Sequence, residues 1–228
     1  MRTTGHDTEN TWLMYDRSAR QTMTLNGNDT QKAHPHPFLA PPSVPLIYDL
    51  RCALTSLRFP SSSPFAGCGC EFLRVPLTPE RPTQIRLISP EFPWAFNIGP
   101  SAGEEGVTCY DVLAALHTAL QCPLTDTEWG TARGDKRASL LRAHDRRLRI
   151  EPALLGRAHS AGHTSFAPGA NVPHRRPVQP EPLLLRIDWL GPRVAFLGLV
   201  KDDAFARSRL IPGSGQPPET WVVKFQRL

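Results

Sequence analysis

The chain has 228 residues, of which 40 % are hydrophobic and 21 % are charged, so it can bury the core of one domain with extensions. No stretch reaches the roughly 18 consecutive apolar residues that a transmembrane helix needs, and we therefore expect no membrane partner. The 24 prolines are roughly twice the average share of about 5 % and disfavour long uninterrupted helices.

The number of cysteines and the distribution of charge further restrict the class of protein. Five cysteines are an odd number, and residues Met1–His6 lack an apolar signal core, which argues against a secreted disulfide scaffold. We expect an intracellular protein, cytoplasmic or nuclear, with reduced thiols. The net charge of +5 is uneven, because acids lead by four in residues 1–129 and bases lead by nine in residues 130–228. The basic half is compatible with an acidic partner or a nucleic acid.

Composition divides the chain into a tail and one domain. Residues 1–42 are rich in Thr, Asn, Asp, Gly and Gln and end in prolines, which predicts a disordered N-terminal tail. Residues 43–228 form the predicted single domain. Within it, residues 151–182 are rich in Pro, Gly and Arg and predict a flexible excursion, because loops of that length are uncommon in compact domains unless they are functional or disordered.

The strongest strand signal is a pair of apolar runs. Leu183–Leu190 and Arg193–Val200 flank Gly191-Pro192 and predict two adjacent strands joined by a tight turn, which is a β-hairpin. Alternating or β-prone segments predict further short strands at Leu46–Tyr48, Phe72–Leu77, Gln84–Ser89, Trp94–Ile98 and Thr220–Phe225.

Capping signals predict the helices. Thr108 followed by Asp111 has the spacing of a capping box, and the apolar stripe behind it runs to Leu120. Thr125 with Glu128 repeats the box and opens a second helix, and further helix is expected within 133–149. The predicted fold is α+β, with a mainly antiparallel sheet and two helices packed on one face.

Several segments together resemble a known family. They are Leu73–Pro79, Pro93–Ile98, Gly106–Leu116 with Leu120, Thr125–Trp129, Arg186–Gly191, Phe196–Leu199 and Trp221. In this order they are similar to a domain-of-unknown-function family of mushroom-forming, basidiomycete fungi, over about residues 46–226. The resemblance implies a fold and a fungal origin, but it brings no reaction and no catalytic residues.

Asp188 is the ionisable group of most interest. Alternation in the predicted strand places it on the face opposite Ile187 and Trp189, where it would be a buried charge that needs Arg186 or Arg193 as a partner. We interpret it as a structural ion pair rather than a catalytic acid. His117, in the first helix, is interpreted as a partly buried histidine rather than a general base. The candidate binding residues are therefore Asp188, Arg186, Arg193 and His117.

No metal site and no cofactor are predicted. Cys68 and Cys70 form a CxC pair, but zinc needs four ligands and no second Cys/His pair has finger-like spacing. His34 with His36, and His159 with His163, would bind metal only if two loose segments converged.

Motifs for nucleophiles, phosphate loops and dinucleotides are missing from the sequence, so no catalytic residue is predicted. The leading hypothesis is a non-enzymatic module that binds a protein or another ligand, with an unknown protein as the partner. The first alternative is nucleic-acid binding, and an enzyme of unknown reaction is the second. The nucleic-acid alternative rests on Arg142, Arg146, Arg147, Arg149, Arg175 and Arg176.

Overall fold

The computed structural model describes residues 34–42, 44–155, 183–210 and 218–228, with the side chains of 151–155 left undescribed. Most of the predicted tail (1–33) and most of the predicted excursion (156–182) therefore lie outside the described residues. Among the described residues, no helix has both the length and the apolar character that crossing a bilayer requires.

The described residues contain helices and strands in an α+β arrangement. The helices are α1 (Cys109–Leu120), α2 (Asp126–Thr131), α3 (Gly134–Leu155) and α4 (Asp203–Ser208). The strands are β1 (Ile85–Ser89), β2 (Phe92–Ile98), β3 (Ala195–Val200) and β4 (Glu219–Gln226). Short 3-10 helices occupy Leu54–Ser56, Cys70–Leu73 and Arg186–Leu190.

The strands form one mixed sheet in the order β2-β1-β4-β3. β1 pairs antiparallel with β2, and β3 pairs antiparallel with β4, but β1 and β4 run parallel. The prediction of a mainly antiparallel sheet is wrong, because the last strand enters the middle of the sheet. A parallel neighbour needs a long crossover, and all of the chain between β1 and β4 supplies it.

The two faces of the sheet have different coverings. Leu87 and Trp221 pair on the inner face, where they belong to the main core together with Leu113 of α1. Ile88 and Val222 are buried on the outer face, outside that core cluster. Helix α4 packs against β4, whereas α3 packs mainly on the 3-10 helix Arg186–Leu190.

An N-terminal arm, residues 36–42 and 44–50, runs along the outer edge of β3. Leu199 N donates to Leu39 O at 2.7 Å, and Phe196 N donates to Tyr48 O at 3.1 Å. Gly198 permits this approach: its φ is +141°, and a Cβ there would meet Leu39 O at 2.9 Å. The folded part therefore includes residues before 43, since Phe38 and Leu39 are buried.

The predicted hairpin over residues 183–200 is wrong in its first half. Arg186–Leu190 is a 3-10 helix, and the second half is β3, which pairs with β4. The carboxylate of Asp188 accepts a hydrogen bond from Leu185 N at the start of this helix, and Gly191 ends it with φ +64°. A continuous apolar run has no alternation, so it does not distinguish a strand from a short buried helix.

Two further predicted strands are wrong. Within Leu46–Tyr48, Ile47 forms only an isolated bridge with Arg58, and Phe72–Leu77 begins inside a 3-10 helix. The strands predicted at residues 84–89, 94–98 and 220–225 are confirmed as β1, β2 and β4.

Both predicted capping boxes are confirmed. Thr108 Oγ1 accepts from Asp111 N, and the Asp111 carboxylate accepts from Thr108 N, at the start of α1. Thr125 and Glu128 make the same reciprocal pair at the start of α2. The helix expected within 133–149 is α3, which continues to Leu155.

Candidate functional site

Asp188 is buried and paired, but its partner differs from the expected ones. The guanidinium of Arg147 on α3 donates to both carboxylate oxygens of Asp188, each at 3.0 Å. The side chains are 11 % and 2 % exposed. The expectation that Arg186 or Arg193 pairs with Asp188 is wrong, because Asp188 lies in a 3-10 helix that turns it towards α3 rather than along a strand.

Arg186 lies at the junction of three elements. Its Nη2 donates to Glu128 Oε1 at 2.6 Å, and Glu128 also accepts from Thr125 N in the capping box. Burial alone would raise the pKa of Glu128, but the hydrogen bonds from Arg186 and Thr125 lower it overall. The carbon of the Arg186 guanidinium lies 5.1 Å from the centre of the Trp94 ring.

Three tryptophans, each with a cation over its ring, lie near this junction: Trp94 and Trp189 contact each other, and Trp129 follows Glu128 in α2. We call this group the tryptophan cluster; it contains Trp94, Trp129 and Trp189 with Lys136, Arg137 and Arg186. Trp94 and Trp189 pack edge to face with ring centres 5.4 Å apart. Lys136 Nζ lies 4.9 Å from the centre of the Trp189 ring, and the Arg137 guanidinium lies 5.3 Å from that of Trp129. Cations at these distances are attracted by the negative face of each ring.

Strand β2 supplies the aromatic floor of the cluster. Phe92, Trp94 and Phe96 alternate along the strand on the inner face, and their three rings contact one another, with ring centres 5.2 to 6.4 Å apart. Phe92 is buried, whereas Trp94 and Phe96 are half-buried. The cluster is therefore reachable from solvent at its edge.

Lys136 is held in place rather than extended into water. Its Nζ donates to Trp189 O at 2.7 Å. Burial lowers the pKa of Lys136, and the negative charge of Glu91 offsets part of this decrease. An ammonium group in this position is directed at a ring and a carbonyl, so its orientation is set before any partner arrives.

The remaining predicted binding residues, Arg193 and His117, place no cation over a tryptophan of the cluster. Arg193 is 54 % exposed and pairs at 3.2 Å with Glu91, the carboxylate that also acts on Lys136. His117, near the end of α1, has its ring centre 6.5 Å from that of Tyr48, and burial lowers the pKa of His117. Asp188 and Arg186 share one 3-10 helix, but no interaction among the described residues brings His117 to them.

The residues of the nucleic-acid alternative divide into three groups. Arg142, Arg146 and Arg149 are exposed on the outward face of α3, and no acidic side chain of the described residues forms an ion pair with them. Arg147 turns inward to Asp188. Arg175 and Arg176 lie outside the described residues.

The structure brings no metal-ligand set together in the described part of the chain, where no group of three His, Cys, Asp or Glu side chains converges. All five cysteines are free thiols, and burial raises the pKa of Cys109 and Cys52. His36 is buried in the N-terminal arm, and His159 and His163 lie outside the described residues.

One comparison identifies a family. A family model described as a family of unknown function, DUF6699, matches residues 46–208. The chain belongs to this family. No curated protein and no solved structure matches it. The resemblance drawn from the sequence is thus confirmed for a family of unknown function, and the fungal origin stays a prediction.

Sequence reasoning missed most of the tryptophan cluster of the DUF6699 domain. The sequence groups Arg147 with the basic surface residues, because 41 positions separate it from Asp188 and no local pattern links the two. Glu128 was recognised only as a cap, yet it also binds Arg186, which lies 58 positions away. Each of these contacts joins segments across the crossover, so no local spacing in the sequence signals them.

Proposed function

We propose that the DUF6699 domain is a non-enzymatic protein-interaction module that binds an acidic segment of a partner protein at the tryptophan cluster. The observation that supports this most directly is the presence of two half-buried tryptophans, Trp94 and Trp129, each under an arginine. Trp and Arg are the residue types most enriched at the energetic centres of protein interfaces.

The partial exposure of Trp94 and Trp129 favours a role in recognition over a purely structural one. Trp221 is completely buried in the core, as a tryptophan with a packing role is expected to be. Trp94 and Trp129 instead keep part of their rings in contact with solvent. A ring that is already fixed by its neighbours loses little conformational entropy when a partner covers the remaining part.

Charge favours an acidic partner. The three cations of the cluster lie near two carboxylates: Glu128 is engaged by Arg186, and Glu91, which partly offsets the effect of burial on the pKa of Lys136, is engaged by Arg193. No acidic side chain of the described residues forms an ion pair with Lys136 or Arg137. Acidic residues on the partner would be steered to this surface, and apolar residues beside them would cover the tryptophan rings.

The test uses a fluorescent peptide of about ten residues that alternates glutamate and valine, with its binding measured by anisotropy. We expect Arg137→Glu to weaken binding by about tenfold, since it reverses the charge over Trp129. Arg133→Glu is the matched control, because Arg133 is exposed one helical turn before Arg137 and lies over no aromatic ring of the described residues.

Two peptide controls define the chemistry. A peptide with lysine in place of glutamate tests the charge, and one with serine in place of valine tests the contact with the rings. Equal binding of all three peptides, or equal effects of the two arginine variants, would exclude the tryptophan cluster as the recognition surface.

Nucleic-acid binding is the second candidate, and one observation favours it. Arg142, Arg146 and Arg149 share the outward face of α3 and span about 10 Å along its axis. Phosphate groups on one strand of a nucleic acid could contact them together, although no aromatic ring of the described residues stacks beside them. Arg147, which is bound to Asp188, is removed from this set.

We also propose that the interaction takes place inside the cell. All five cysteines are unpaired thiols, which fits a reducing compartment.

A further inference from the structure

The two edges of the sheet differ in whether other parts of the chain cover them, and the tryptophan cluster does not explain this difference. The edge of β3 is covered by the N-terminal arm, whose Leu39, Tyr48 and Leu50 exchange backbone hydrogen bonds with residues 194–199. The other edge is β2, and it makes no backbone hydrogen bond to any described residue apart from the ladder with β1. Every second residue of β2 therefore turns outward backbone groups that have no backbone partner among the described residues.

Only the beginning of this edge is occupied. Arg209, just after α4, donates from one Nη2 atom to the carbonyls of Phe92, Pro93 and Trp94, with the shortest distance 2.6 Å to Pro93 O. Pro93 has no N–H and therefore needs no acceptor, and Arg209 already supplies the donor for its carbonyl. From Ala95 to Ile98 the backbone is extended and continuous in its pairing with β1, and its outer side is open to a further strand.

We propose that the free edge of β2 binds an extended segment of the partner by strand addition, as a fifth strand of the sheet. This inference rests on the proposed function, because it specifies how the acidic partner segment reaches the tryptophan cluster. Strand addition uses the backbone for affinity and the alternate side chains for specificity.

The two faces of β2 determine which side chains such a segment carries. On the inner face, an added strand would lie beside Trp94 and Phe96, which are half-buried and favour apolar residues. On the outer face it would lie beside Ala95 and Asn97, which are small and exposed. Arg86 pairs with Asn97 on that face and makes no ion pair with any described residue.

Arg86 and a carboxylate side chain of the added strand can therefore meet across the small side chains of β2, since two strand spacings, about 10 Å, separate β1 from the added strand and both side chains extend into that gap. An added strand with apolar residues on the inner face of the sheet and acidic residues on the outer face has a sequence in which the two types alternate. The glutamate-valine peptide already described has this pattern, and all of its valine N–H groups point to one side of the strand and all of its glutamate N–H groups to the other.

Backbone methylation of the peptide tests the mode of binding. One peptide carries N-methyl groups on every valine and a second on every glutamate, and each is titrated against the full chain. We expect one set to lower affinity by about tenfold or more and the other by less than about twofold, because only one set of N–H groups faces β2. Equal effects of the two sets would overturn strand addition.

Amide exchange and charge reversal give independent readouts. The peptide should slow hydrogen exchange of the β2 amides that do not pair with β1. Arg86→Glu should weaken binding by about fivefold or more, whereas Arg58→Glu, an exposed arginine beside the opposite edge of the sheet, should not.

The outcomes separate this inference from the proposed function. Binding that responds to Arg137→Glu, but not to methylation or to Arg86→Glu, retains the cluster as the site and overturns strand addition. No binding at about 1 mM peptide overturns both. Slow exchange of the outward β2 amides in the free chain overturns the inference too, and sedimentation then shows whether a second copy or the same chain occupies the edge.

Discussion

Arg147 and Asp188 join the long helix α3 to the 3-10 helix that carries Trp189. Both carboxylate oxygens of Asp188 accept from one guanidinium, and one of them also accepts from Leu185 N. Because Asp188 is 2 % exposed, its charge is almost completely removed from water and depends on these donors. The pair thus fixes the position of α3, which carries Lys136, relative to the 3-10 helix, which carries Trp189.

We predict that Asp188→Ala destabilises the domain by about 3 kcal/mol, because it leaves a largely buried guanidinium without its carboxylate. The free energy of unfolding is measured by urea denaturation of the full chain. Arg193→Ala is the control, since Arg193 is 54 % exposed in its pair with Glu91 and should cost less than about 1 kcal/mol. Equal losses in the two variants would show that the Arg147–Asp188 pair contributes no more than a surface pair.

Local signals predicted α1, α2, α3 and all four strands, with β3 as the second half of the expected hairpin, because those signals are contained within a few residues; α4 was not predicted. The two capping boxes are complete within four residues, and the alternation of β2 needs only its own side chains. The segment Leu183–Leu190 lacked such a signal. Its conformation depends on Arg147, which comes from a distant helix, and on the Asp188 cap, which becomes visible only when the helix is known.

The tryptophan cluster could not be predicted for a related reason. Trp94, Trp129 and Trp189 come from a strand, a helix and a 3-10 helix that are far apart in the sequence, so only the tertiary fold sets their relative positions. Sequence reasoning did identify Asp188 as a group that would need a partner when buried. It could not choose the partner, because Arg147 belongs to a run of arginines whose other members face solvent.

Acid is predicted to weaken the attachment of the N-terminal arm. His36 is buried against Phe38, whose N–H donates to His36 Nδ1 at 3.2 Å, and burial lowers the pKa of His36 from 6.5 to about 4. Between these two values the unfolded chain binds a proton that the folded chain excludes, so stability is complete above pH 6.5 and falls as the pH decreases. The loss by pH 4 is about 3 kcal/mol.

Urea denaturation at pH 7 and pH 4 measures this loss. In His36→Gln the residue cannot take up a proton, so the difference in unfolding free energy between the two pH values should shrink by about 3 kcal/mol. His34→Gln, which changes an exposed histidine two residues earlier, should leave the difference as it is. If both variants keep the full difference, other groups cause the acid sensitivity.

Gly198 is predicted to be required for the arm to lie on β3. In Gly198→Ala the new Cβ would meet Leu39 O and Pro41 Cδ at 2.9 Å each, at a backbone φ of +141° that L residues rarely adopt. We expect a loss of about 2 kcal/mol or more in unfolding free energy. Gly130→Ala in α2, where nothing lies within 4 Å of the new Cβ, should instead stabilise by about 0.5 kcal/mol. A neutral Gly198→Ala would mean that the arm is not held against β3 in solution.

The exposed arginines of α3 give the last prediction, which tests the second candidate function. If α3 binds nucleic acid, the affinity for a single-stranded oligonucleotide should fall as salt rises, and reversing Arg142, Arg146 and Arg149 to Glu should reduce the slope of log K against log salt by about 2. The control is Arg58→Glu, which changes the net charge on another part of the domain and should alter the slope far less. A slope that responds equally to both substitutions indicates diffuse attraction to a basic protein, and a flat salt response removes nucleic acid as a ligand. Loss of peptide binding in the Arg137→Glu protein together with an unchanged oligonucleotide slope would assign the two ligands to separate surfaces.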